Sequence, residues 1–129
     1  MRHDLHRNDT QMALKLTPEL LAGTYQLLVL TQPFSSWKLP EADEVEFHIS
    51  RQPNYRGQYW RTAKNDHAIE ISERLIGNLG WLVRTMAHEM VHLYQSEYGH
   101  ETPNAQHNAH FLKMAKRVCI VHEWDYRLF

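Results

Sequence analysis

The sequence predicts an α+β domain: one N-terminal helix, a small antiparallel three-stranded sheet, a long helix and a closing helix. Three observations carry this reading. Apolar residues recur at helical spacing over 20–29 and again over 79–93. They alternate with polar residues in short runs between 45 and 72. Turn residues separate those runs, as in a meander.

Thr17-Pro18-Glu19 supplies an N-cap, a first-turn proline and a first-turn acid. Leu20, Leu21, Tyr25, Leu28 and Val29 follow with helical period, and Pro33 ends the helix. Residues 1–16 are polar and then weakly patterned, so a loose start is expected. Residues 35–43, with Pro40, read as a connection. Val45, Phe47 and Ile49 alternate with Glu46, His48 and Ser50 in strand period. Gln52-Pro53-Asn54 and Lys64-Asn65-Asp66 are turns on either side of a second strand over 58–62. His67 to Ser72 alternates again, with Ile69 and Ile71 on one face.

The long helix is expected from Asn78 to Tyr98, ended by Gly99. Thr102-Pro103 reads as a new cap and first turn, restarting helix through about Val118. The tail, with Trp124, Tyr126 and Phe129, is expected to pack back on the domain.

A chain of 129 residues with 43% apolar content suits a single domain over residues 1–129. A net charge of -1 argues against strong whole-surface attraction to nucleic acid. Cys119 is the only cysteine, which excludes an intrachain disulfide and a four-cysteine zinc site and fits a reducing compartment. Met1-Arg2-His3-Asp4 has no apolar signal core, and the longest apolar run considered, Leu27-Leu28-Val29-Leu30, is far too short to span a membrane. A soluble, cytoplasmic protein with no membrane partner is expected.

The 10 histidines invite metal binding and also make chance motifs commoner, so placement decides. His88-Glu89-Met90-Val91-His92 is an HExxH motif within the long helix. Residues four apart share a helix face, so two imidazoles can converge on one ion. Leu79, Leu82, Met86, Met90 and Leu93 form the apolar stripe, and the two histidines fall nearly opposite it, with Thr85 and Trp81. Core histidines would sit in the stripe. Zinc held by two such nitrogens and one further ligand keeps a position open for water, and Glu89 is placed to act as its general base.

The third ligand is sought downstream. The extended pattern HExxHxxGxxH fails, because Gln95 and Tyr98 stand at its last two specified positions. His100, His107 and His110 remain. On the expected last helix, Phe111, Met114, Ala115 and Val118 set the inward stripe; His107 falls near its centre and His110 on its flank. This favours His107.

The ordered combination resembles the SprT-like metallopeptidase family, the group that includes Spartan. The resemblance rests on Ile69-Glu70-Ile71-Ser72, on the segment Met86 to Tyr94 around the motif, and on His107-Asn108-Ala109-His110-Phe111-Leu112-Lys113. It covers residues 44–118 and implies a zincin-like catalytic domain, with His88, His92 and His107 as zinc ligands and Glu89 as catalytic base. Two departures stand out. Asn108 occupies a position where the family usually has glycine, and no cysteine-bearing zinc ribbon follows.

The expected activity is zinc-dependent peptide hydrolysis of a protein substrate, and the resemblance implies substrates crosslinked to or associated with DNA. Arg51, Arg56, Arg61 and Lys64, interleaved with Tyr55, Tyr59 and Trp60, form a DNA-contact candidate, although a solvated strand face explains them more simply. Tyr94, Tyr98, His110 and Arg61 are considered as second donors to the reaction's oxyanion. The rival reading is a non-enzymatic module in which zinc clamps two helices and the surface recruits DNA or protein. An intact Glu89 favours the enzyme; a fourth ligand, His100 or His110, would favour the rival.

Overall fold

A computed structural model describes residues 14–63 and 66–129. Helix α1 spans Pro18–Val29 and begins as the sequence predicts, with the Thr17 hydroxyl accepting from the Leu20 amide at 3.0 Å. It buries Leu21, Tyr25 and Leu28. The expected loose start lies outside the described residues up to position 13. Its last part belongs to the domain: the Leu14 amide donates to Gly77 O at 3.2 Å, and Leu16 is buried.

Three strands follow, β1 (Val45–Ser50), β2 (Gly57–Arg61) and β3 (His67–Ser72). The sheet is mixed, which corrects the expected antiparallel meander. Its order is β1-β3-β2, with β1 parallel to β3 and β2 antiparallel to it. The cause lies in β3, whose residues are buried except for half-buried Glu70. A strand covered on both faces belongs in the middle. The 51–56 segment, expected as a hairpin turn, instead passes over the end of β3. There Ser72 Oγ donates to Gln52 O at 2.6 Å, and the Ser72 amide donates to Arg56 O at 2.8 Å. Strand β2 is left as an edge.

Helix α2 spans Leu79–Tyr98. Asn78 caps it by accepting from the Trp81 amide at 2.9 Å, and Gly99 closes it in the left-handed region at φ 73. Leu82, Met86, Met90 and Leu93 are fully buried, and they meet α1 and the sheet in one core with Leu21, Tyr25, Ile69 and Ile71. Leu79, counted with that stripe, is 57% exposed.

The last helix corrects a boundary. Helix α3 spans Ala109–His122, and its cap Asn108 lies six residues beyond the expected cap Thr102. Pro103-Asn104 forms the centre of a tight turn bridged by Thr102 and Ala105, and Asn104 takes φ 63. Asparagine tolerates that conformation, and proline before it fits a turn as well as a helix start. The real cap is Asn108, which accepts from the Phe111 amide at 2.9 Å. The tail packs back as expected, with Trp124, Tyr126 and Phe129 against the core. No helix among the described residues is long and apolar enough to cross a membrane.

Candidate metal centre

Two consecutive turns of α2 present His88 and His92 on one side, and the loop between α2 and α3 brings His107 to them. The ring centroids form a triangle with each side 5.1 Å. One ligand nitrogen from each histidine lies within 4.8 Å of the others, so the three are positioned to bind one metal ion. His107 therefore belongs with the pair, but not as a residue on a helix face. It precedes the first residue of α3 by two positions.

Phe111, from the first turn of α3, underlies the group. Its ring stacks on His92 at 4.5 Å and on His107 at 4.4 Å between centroids. Phe111 gives the group an apolar floor, while His88 and His92 are half-buried and His107 is exposed. Burial, with smaller repulsion from neighbouring histidines, lowers His88 to about 4 and His92 to about 3. Both rings are thus neutral at neutral pH, the form that ligates metal. His88 Nδ1 donates to the Phe129 main-chain oxygen at 2.8 Å. That bond leaves Nε2 as the lone-pair nitrogen.

Glu89 is 5% exposed and lines the same cleft as the three histidines. Burial raises its carboxyl to about 8. The edge strand comes very near it. A Cβ on Gly57 would stand 3.0 Å from Glu89 Oε2 and 2.9 Å from Thr85 Cγ2. Glycine is required there by close approach, not by its backbone angle.

The cleft measures about 990 Å³ and lies among β2, α2, the 101–107 loop and the tail. None of the four residues considered as oxyanion donors lines it. Tyr94 stacks on Trp37, Tyr98 OH donates to Lys38 O at 2.7 Å, and Arg61 bonds to Ser96 at 3.2 Å. His110 receives a hydrogen bond from Gln95 at 3.2 Å and stacks on His100 at 4.0 Å between centroids. The basic residues of the strand region also diverge. Arg51 faces Glu73 at 3.5 Å, Arg61 faces Glu97 at 3.9 Å, and Arg56 lies over Trp81. Lys64 is outside the described residues.

Comparison with known proteins matches a family model, that of the SprT-like family, over residues 25–125. The chain belongs to the SprT-like family. No curated protein matches it.

Three features of this SprT-like chain escaped sequence reasoning. Gly57 looked like a residue before a strand; only the packing of β2 on α2 reveals its role. Phe129 is expected only to pack back on the domain; its bond to His88 has no signal in the sequence, because it joins residues 41 positions apart. Asn108, noted as a departure from the family pattern, is a hub. Its Oδ1 also accepts from Gln95 Nε2 at 2.8 Å, and its Nδ2 donates to His100 O at 3.0 Å and to Thr102 Oγ1 at 3.2 Å. A glycine could not tie the loop that carries His107 in this way.

Proposed function

We infer that this SprT-like domain is a zinc-dependent peptidase in which His88, His92 and His107 hold the metal and Glu89 is the general base. The observation that carries the reading is Glu89: a buried carboxylate beside three clustered imidazoles, in an open cleft, with the edge-strand backbone cleared of a side chain to admit it. The donor set fits zinc, which favours imidazole and is commonly held catalytically by three protein ligands. A zinc ion there would supply a Lewis acid that acidifies water and polarises a carbonyl, and its charge would favour the ionised form of Glu89. The chain's own residues do the rest. Phe129 holds the His88 tautomer, Phe111 packs its ring under His92 and His107, and Glu89 accepts a proton from the attacking water and delivers it to the leaving amine.

The rival non-enzymatic module needs a closed site. Among the described residues the metal-capable group holds three histidines, and His100 and His110 are engaged elsewhere. This supports the enzyme. Substrates bound or crosslinked to DNA, and an intracellular setting, extend the proposal on the family resemblance and the single buried thiol of Cys119.

Metal analysis after mild purification tests the reading, with about one zinc per chain expected. A metal-free wild type that also fails to take up zinc would sink it. Stimulation of cleavage by single-stranded DNA tests the extension.

A further inference from the structure

Helix α2 contributes more to the cleft than the histidines. Trp81 and Arg84 line the same wall as His88, and Arg56 joins them from the 51–56 segment. The Arg56 guanidinium lies 4.5 Å from the Trp81 ring centroid. Arg84 lies 5.7 Å from Trp81 and 5.6 Å from Trp124. Stacking on an aromatic face orients a guanidinium and leaves its N–H edge free for a planar acceptor. Arg84 Nη1 donates to Gly80 O at 3.2 Å, and among the described residues neither arginine faces a carboxylate. Arg51, Arg61 and Arg127, outside the cleft lining, each have one. Beyond the other end of α2, Glu101 lines the cleft. The cleft is therefore positive toward the start of α2 and negative past its end.

We propose that Arg56 and Arg84, held on Trp81, form a subsite that selects an acidic side chain of the substrate two or three residues from the scissile bond. The proposal rests on the peptidase reading above. Spacing sets the register. Arg84 and Trp81 precede His88 by four and seven residues, which is roughly 6 and 10 Å along a helix rising about 1.5 Å per residue. An extended peptide advances about 3.3 Å per residue. A carboxylate, planar and able to accept two parallel N–H bonds, is the acceptor a guanidinium edge matches. A peptide side chain is favoured over a nucleic-acid phosphate because the two arginines share the cleft of the histidines and Glu89, where the peptide itself must run.

The test uses zinc-loaded protein and matched peptides that differ only by Glu, Gln or Lys at that position. The acidic peptide should exceed the Gln peptide in kcat/KM by on the order of tenfold, the size of one charge-assisted hydrogen bond in a partly exposed site. The ratio should fall toward one in Arg56→Gln and in the Arg56→Gln/Arg84→Gln pair, and persist in Arg74→Gln, an exposed cation outside the cleft lining. Arg84→Glu should turn the preference toward Lys. Equal rates for the three peptides in the wild type, or an undiminished ratio in the double variant, would overturn the proposal. So would inhibition by a single-stranded oligonucleotide that depends on both arginines while peptides are cleaved without charge preference. If zinc-loaded wild type cleaves no peptide, the peptidase reading fails separately. The subsite is then judged by intrinsic tryptophan fluorescence: tighter binding of the acidic peptide, lost in the double variant, supports it, and equal binding overturns it.

Discussion

Gly57 and Glu89 touch through a missing side chain: a Cβ on Gly57 would stand 3.0 Å from the carboxylate Oε2. The edge strand and the motif helix are fitted to each other at the residue proposed as the base. Gly57→Ala should push Glu89 aside and lower kcat by about 10–100-fold, the usual cost of disturbing a group that supports a metal site, while zinc content stays at the wild-type level. Gly23→Ala is the control, since nothing lies within 4 Å of its Cβ position and alanine favours helix. Wild-type kcat in Gly57→Ala would show that the close approach has no bearing on catalysis.

Asn108→Ala should loosen the loop that carries His107. It removes a helix cap worth about 1 kcal/mol. It also takes a partner from the Gln95 amide, which is 2% exposed, at a further cost of roughly 1–3 kcal/mol. Denaturant unfolding should report the lost stability, and a chelator titration should report weaker zinc binding. Unchanged values in both would remove Asn108 as the organiser of the loop.

His107 and His110 should separate cleanly. His107→Ala removes one of three nitrogens and should weaken zinc binding sharply. His110 lies on α3 against His100 and Gln95, outside the triangle, so His110→Ala should keep the metal. Samples matched by circular dichroism exclude unfolding as the cause. The reverse outcome would mean that the loop adopts another arrangement around the ion.

Much of this site was legible because its core is local. The His88–Glu89–His92 spacing reports the helical repeat directly, and Asn78 and Gly99 mark the helix ends with side-chain and backbone chemistry. His107 was reached by a sound motif and an unsound geometry: Thr102-Pro103 suits a helix start and a turn equally, and only the bonds made by Asn108 decide between them. The strand order was not legible. Alternation tells which side chains share a face, but it does not tell which strand lies in the middle. The complete burial of Ile69 and Ile71 between α-helical and sheet neighbours settles that in three dimensions. Gly57 and Phe129 act across long sequence separations, where no local pattern exists.

The metal-free protein should show a stability maximum in mildly acidic solution. His88 and His92 have folded values of about 4 and 3, below their ordinary 6.5. The unfolded chain binds protons first, so their contribution is present above 6.5 and is lost as pH falls through about 4 and then 3. Glu89 has the opposite sign. Its folded value of about 8 lies above the ordinary 4.5, so its contribution is present below 4.5 and is lost as pH rises through about 8. Zinc should therefore stabilise the protein more at pH 8 than at pH 5, since its charge favours an ionised Glu89, while His88 and His92 are already largely neutral at both. Thermal melts with and without zinc across this range measure the difference; a zinc effect that shrinks as pH rises would contradict it.

The central claim is tested most directly by cleavage of an unfolded protein with zinc-loaded wild type and with Glu89→Gln, each shown to carry the same metal content. The amide keeps the shape of Glu89 but cannot take the proton. The account predicts fragments from the wild type that disappear on chelation and return with zinc, and none from Glu89→Gln. Equal cleavage by the two proteins, or none by a wild type that carries its zinc, would contradict it.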